Sequence, residues 1–326
     1  MSVRVEIDSC ALDFETECSP ALERLDRMLE TTFSDAYYEY SLSAARPHER
    51  TPTLRYVDAE GWGAEYEPET ATCTFTAPWR EIGETTVLAM WLFYLSELVR
   101  QERREYLLHA SAIERGGRAI VLAGPSESGK TICALELCLG YGFRLFANNR
   151  IKIGLRDGTP RLLRGDAVFN LRSSSLRRYS ELFGRLVFGE LRSDEPEPTQ
   201  KRRIAPGALG IEIAESAPEI AVFVLLALDA EAPDLPAERI AGEIRSREAF
   251  RAVAAVYEEI SSRVRGTAFI PVALAPGSKD FFVPSLDRPD FVTARMAFLD
   301  ALFSGTAVLK LRGSLDHAVT EMLRFF

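Results

Sequence analysis

The stretch GPSESGKT, residues 124–131, decides how this chain is read. It fits the spacing G-x-x-x-x-G-K-[ST], follows the apolar run RAIVLA and opens an amphipathic segment that runs to about Leu139, where Gly140 and Gly142 stop it. An apolar strand, a glycine loop and a helix in that order are the context the spacing needs. Glycines at 124 and 129 let successive N–H groups turn toward a phosphate, and the helix N-terminus adds partial positive charge. The pattern therefore predicts that Gly124, Pro125, Ser126, Glu127, Ser128, Gly129, Lys130 and Thr131 cradle the phosphates of a nucleoside triphosphate, ATP or GTP. Lys130 is expected to bridge the β- and γ-phosphates, and the Thr131 hydroxyl to ligate Mg²⁺.

Just upstream, LLHASAIE (107–114) reads as a strand that turns at Gly116 and Gly117 into RAIVLA, a hairpin feeding the loop. Downstream, FRLFAN (143–148) leads into RIKIGL (150–155), and AVFVLLALD (221–229) reads as a buried central strand ending in Asp229. The segment SDEPEPTQKRRIAP (193–206) reads as a mobile surface loop, and its basic run Lys201 to Arg203 as a solvated charge cluster or a clamp for an anion. Helices are expected near 237–264 and 291–303, then a strand at 307–311 and a closing helix from Leu315.

The first hundred residues read as mixed α/β, with strands at 3–8, 38–42, 53–57 and 71–75 and helices near 21–32 and 85–100. This predicts a smaller N-terminal α/β domain over 1–104 and a nucleotide-binding domain over 105–326. At 326 residues and 47% hydrophobic the chain can bury such cores. The five cysteines are scattered, without the CxxC or Cys/His spacing of a zinc site, and read as reduced. A net charge of −9 with interspersed basic residues argues against nucleic acid as a partner. No window is apolar enough for a membrane span and the N-terminus has no secretory pattern, so a cytoplasmic location is expected, with a homo-oligomer left open.

The run LLHASAIERGGRAIVLAGPSESGKTICALELCLGYGFRLFANNRIKI (107–153) resembles the HPr kinase/phosphorylase family and its kinase-like relatives. Fainter echoes lie in FIPVALAPG (269–277) and VLKLRGSLDHAV (308–319). The resemblance implies an α/β, HPr-kinase-like P-loop core of the phosphoenolpyruvate carboxykinase-like kind. It also implies phosphoryl transfer from ATP to a hydroxyl on a peptide, protein or small molecule. In that family the histidine matching His109 lies near the transferred phosphate. A pair of aspartates after the next strand supplies the general base and organises the metal.

Here the pair reads Asn148 and Asn149. An asparagine offers a neutral carbonyl oxygen and cannot take a proton, a loss worth typically about 10²- to 10⁴-fold in rate. Three readings stand. Asp166, or Asp157, replaces the missing acid; or the acceptor is already ionised or gives its proton to His109; or the chain is a pseudokinase that binds nucleotide and acts by binding a partner protein. An ATPase using Asp229 is a further, less favoured alternative. His109, Asn148, Asn149 and Asp166 are the catalytic candidates; Arg150 is a phosphate contact or a strand flank, and Cys133 and Cys138 are core.

Overall fold

The computed structural model describes residues 1–33, 39–45, 51–172, 201–215, 217–229, 233–240, 247–267 and 282–326. It divides into two compact units, Met1–Glu105 with Tyr257–Arg295, and Tyr106–Val256 with Met296–Phe326. The sequence suggested one cut, at 104/105; in the structure Tyr257–Arg295 returns to the first unit. Both units are α/β. No helix among the described residues is long and apolar enough to cross a membrane.

In the first unit, β1 (Ser2–Ile7) and β2 (Cys10–Thr16) form a hairpin whose turn residues Asp8 and Ser9 both have positive φ, the geometry of a tight two-residue turn. With β3 (Tyr40–Ala44), β4 (Thr53–Asp58), β5 (Gly63–Glu67) and β6 (Thr72–Ala77) they make one sheet in the order β3-β1-β2-β4-β6-β5. Helix α1 (Ser19–Phe33) buries Ala21, Leu25, Met28, Leu29 and Phe33, the stripe its spacing predicts. After the short α2 (Trp79–Ile82), helix α3 (Val87–Glu102) carries Trp91, Leu92, Leu95 and Leu98 into the same core. Burying each such side chain contributes roughly 1.5–3 kcal/mol before chain entropy is charged against it.

The second unit begins with β7 (Glu105–Leu108), β8 (Ala110–Arg115) and β9 (Arg118–Ala123), then α4 (Lys130–Tyr141) and β10 (Arg144–Asn148). Next come β11 (Ile151–Arg156), β12 (Thr159–Gly165), β13 (Phe169–Arg172), β14 (Lys201–Ile204), β15 (Glu219–Leu228), β16 (Glu238–Ile240) and β17 (Ala307–Gly313). The large sheet runs β10-β8-β9-β15-β12-β11-β7, and β17 pairs with β15 and β16. Strand β15 lies parallel to β9 on one side and to β17 on the other, and Val222, Phe223, Val224 and Leu226 of the AVFVLLALD run are buried as its composition predicts, while Ala227 and Asp229 at its end are exposed. Helix Leu315–Leu323 packs with α4 around a core of Leu135, Cys133, Leu226, Leu311 and Met322.

Several readings change. LLHASAIE is two strands, not one, and His109 sits in the bend between them. Glu238–Ile240 forms a strand where a helix was expected, because Ile240 is buried against β17, and the described helix that follows is Arg247–Val264. The KRRI end of the expected loop is β14, paired with β13, while its residues 193–200 lie outside the described residues, as does the FIPVALAPG segment. Strands β2, β5 and β12 were not expected at all.

Candidate functional site

Strand β9 delivers the chain to the loop at Gly124, and β15 beside it fixes the loop's shape. Gly124 has φ +149°, and a Cβ there would meet the Leu226 carbonyl oxygen at 2.4 Å. Gly129 has φ +90°, and a Cβ there would sit 2.4 Å from Leu228 Cδ1. Both glycines are therefore required by left-handed backbone and by close approach of the same neighbouring strand. The Leu228 N–H also donates to the Ser128 carbonyl at 3.0 Å, tying loop to strand. Glu127, with φ +69°, is a non-glycine residue in the left-handed region, a strained position of the sort found at ligand clamps.

The loop ends where α4 begins, so the helix N-terminus points its unsatisfied N–H groups at the cavity. Lys130 is 7% exposed, and its ammonium donates to the carbonyls of Gly124 at 2.8 Å and Pro125 at 2.7 Å. Ser128 Oγ is buried and has no hydrogen-bond partner, an unsatisfied hydroxyl inside the loop itself. Along α4, Cys133 and Cys138 lie in the core; burial raises both thiols, Cys138 to about 12, so neither is a nucleophile near neutral pH.

These residues wall a cavity of about 300 Å³ that His109, Ser111, Asn148, Asn149, Asn170 and Leu171 complete. Asn148 ends β10, almost fully buried. Its Oδ1 accepts from Ser111 Oγ at 2.7 Å and from Thr131 Oγ1 at 3.0 Å, while its Nδ2 donates to the Val168 carbonyl at 3.2 Å. Asn149 follows in the left-handed region at φ +92°, with its N–H on the Ala110 carbonyl at 3.0 Å. Asparagine tolerates that backbone better than most residues.

His109, Asn148, Asn149 and loop residues 126–131 thus meet at one cavity. Asp166 touches Asn148 through the main chain, its carbonyl accepting from the Asn148 N–H at 2.6 Å, but it is not part of the cavity wall. Asp157 forms the β11–β12 turn with Gly158, and Asp229 follows β15 with its N–H on the Gly313 carbonyl at 2.9 Å; neither lines the cavity. Ser111 and Asn170 were not singled out from the sequence. Ser111 stands two residues after His109, near the start of β8, a proximity that was available from the sequence; Asn170 comes from β13, whose approach to the loop nothing in FNLR announces.

No family model matches this chain, and no curated protein does. Among solved structures, the HPr(Ser) kinase/phosphatase from Coxiella burnetii is similar at 13% identity, over 41% of this chain and 70% of that one, with a TM-score of 0.24. A likeness that loose leaves the functional reading to the loop and its cavity.

The cavity's donor set does not fit a resident Mg²⁺. That ion is usually held through one or two carboxylates together with phosphates and water. Here Asn148 Oδ1 already receives two hydroxyl hydrogens, and among the described residues the wall's carboxylate is the exposed Glu127 on the loop. Thr131 Oγ1 keeps lone pairs after donating its hydrogen, so the chain offers a cation one neutral oxygen at this point. No group of three or more His, Cys, Asp or Glu that could hold a metal occurs among the described residues.

Proposed function

We propose that this chain binds a nucleoside triphosphate at residues 124–131 and transfers its terminal phosphoryl group to a hydroxyl on a peptide, protein or small molecule. In this reading it is an HPr-kinase-like phosphotransferase with a phosphoenolpyruvate carboxykinase-like P-loop core. The observation that carries the reading is the loop itself. Its two glycines are locked by β15, its lysine is buried at the helix N-terminus, and its Ser128 hydroxyl is buried without a partner. Helix N–H groups and an ammonium at one point are an anion site, and about 300 Å³ suits a phosphate chain, with ribose and base outside.

In transfer, the acceptor oxygen attacks the terminal phosphorus, the bond from that phosphorus to the bridging oxygen breaks, and the nucleoside diphosphate leaves. The acceptor's proton goes to the His109 imidazole, a wall group able to take it, since Asn148 cannot. Lys130 turns from the two loop carbonyls to the phosphates, and Ser111 and Thr131 stay oriented by Asn148. A second reading, the pseudokinase, is favoured by one feature: Asn148 has both its amide groups committed to structural bonds, so the position after β10 supplies no base.

Calorimetric titration with ATP, followed by phosphorus NMR of the same sample over hours, separates the two. Binding with release of ADP, slow alone and faster with a hydroxyl acceptor, supports the transferase. Binding with ATP intact beside every acceptor tried supports the pseudokinase. Absence of binding by the folded protein removes both.

A further inference from the structure

We propose that this site binds its nucleotide without requiring a divalent cation, and that Asn148 is the residue that sets this independence. The inference rests on the nucleotide-binding reading above and concerns the same cavity.

Asn148 is held at four points. Its N–H donates to Asp166, its Nδ2 to Val168, and its Oδ1 accepts from Ser111 and Thr131. The Val168 carbonyl only accepts, so the nitrogen of the amide must face it and the oxygen must face the two hydroxyls. That network needs an amide. A carboxylate in the same place would put an oxygen 3.2 Å from the Val168 oxygen with no hydrogen between them.

The consequence is electrostatic. Where a carboxylate stands beside a triphosphate, a cation has two tasks: it bridges the phosphates, and it cancels the repulsion between phosphates and the protein's own negative charge. At Asn148 the second task does not exist, and the Glu127 carboxylate on the same wall is exposed, where water screens it. Attraction is supplied instead by Lys130 and by the N-terminus of α4, both part of the chain. Mg²⁺ that arrives on ATP is carried chiefly by the phosphates, with neutral oxygens such as Thr131 Oγ1 beside it at this wall, and adds little to affinity.

The test is the ratio of ATP dissociation constants in EDTA and in excess Mg²⁺, measured by calorimetry on the full chain. For the wild type we expect a ratio within about 3-fold. For Asn148→Asp, a charge placed about 6 Å from the phosphates should weaken binding in EDTA by about 30-fold or more and leave most of the affinity in Mg²⁺, so the ratio rises. Thermal unfolding reports whether that variant folds. If it does not, Asn149→Asp at the same wall makes the comparison, with the same expected rise. A wild type that binds ATP only with Mg²⁺ overturns the inference and leaves the nucleotide reading standing. An unchanged ratio in the folded aspartate variants overturns the role of the asparagine. A folded wild type that binds in neither condition takes down the nucleotide reading and this inference together.

Discussion

The first unit buries Arg100 against Glu97 at 2.8 Å and Arg295 against Asp287 at 2.7 Å, with Gln101 accepting a further bond from Arg295 at 3.0 Å. The second unit, at its glycine loop, buries Lys130 against main-chain carbonyls and Asn148 among hydroxyls. In the first case charge meets charge within α3 and within the segment that returns at Tyr257–Arg295, and the Arg295–Gln101 bond ties the two together. In the second, the ammonium donates to the Gly124 and Pro125 carbonyls, and a hydroxyl one residue before Gly129 has no partner. Charges that answer each other are structural. A buried hydroxyl without a partner inside a glycine loop, at a helix N-terminus, is arranged for something that arrives.

The sharpest way to break that contrast is to delete a charge on the structural side. Arg295→Met leaves the half-buried Asp287 carboxylate without its guanidinium, though still with the Arg288 N–H at 3.0 Å, and removing one partner of a buried pair costs up to about 3–5 kcal/mol. Urea unfolding should show that loss, and Arg295→Met combined with Asp287→Leu should recover part of it. A cost below about 1 kcal/mol for the single change would mean the pair is no more than a surface salt bridge.

On the ligand side the expectation reverses. Lys130→Ala removes charge-assisted bonds worth about 1.5–3 kcal/mol each, so ATP affinity should fall by about 100-fold while the unfolding midpoint barely moves. Calorimetry beside thermal unfolding checks both halves. Large destabilisation with unchanged affinity would make Lys130 a loop brace rather than a phosphate ligand.

How much of this was legible in the sequence follows the same division. GPSESGKT could be read because its glycines answer to local backbone, and the Gly116-Gly117 turn because both residues adopt positive φ. The α1 stripe was legible from its period. The strands that escaped depend on distant partners. Strand β5 is a five-residue, half-buried sheet edge whose alternation of Ala64 and Tyr66 with Glu65 and Glu67 is too short to stand out, and β16 exists because Ile240 is covered by β17 from about seventy residues further on. His109 read as strand because its neighbours are apolar on both sides, and the break it occupies appears only once β7 and β8 go to different places in the sheet. The asparagines could be named, but not their bonding. That Asn148 points its nitrogen at Val168 depends on where β12 ends, twenty residues downstream, and no spacing rule carries that.

The smallest expected effect discriminates best between a loop built for a ligand and one that is merely folded. Ser128→Ala removes a buried hydroxyl that has no partner in the protein. A group of that sort costs about 1–3 kcal/mol of desolvation while it stays unmade, so the alanine variant should be equal to the wild type in stability or up to about 1 kcal/mol better. If the hydroxyl is kept for a phosphate oxygen, the same change should weaken ATP binding by roughly 5-fold, about one neutral hydrogen bond. Stability and affinity then move in opposite directions at one atom, which neither a structural serine nor an idle one produces. Loss of stability would show that the hydroxyl finds a partner within the protein, and unchanged affinity would place the phosphates elsewhere along the loop.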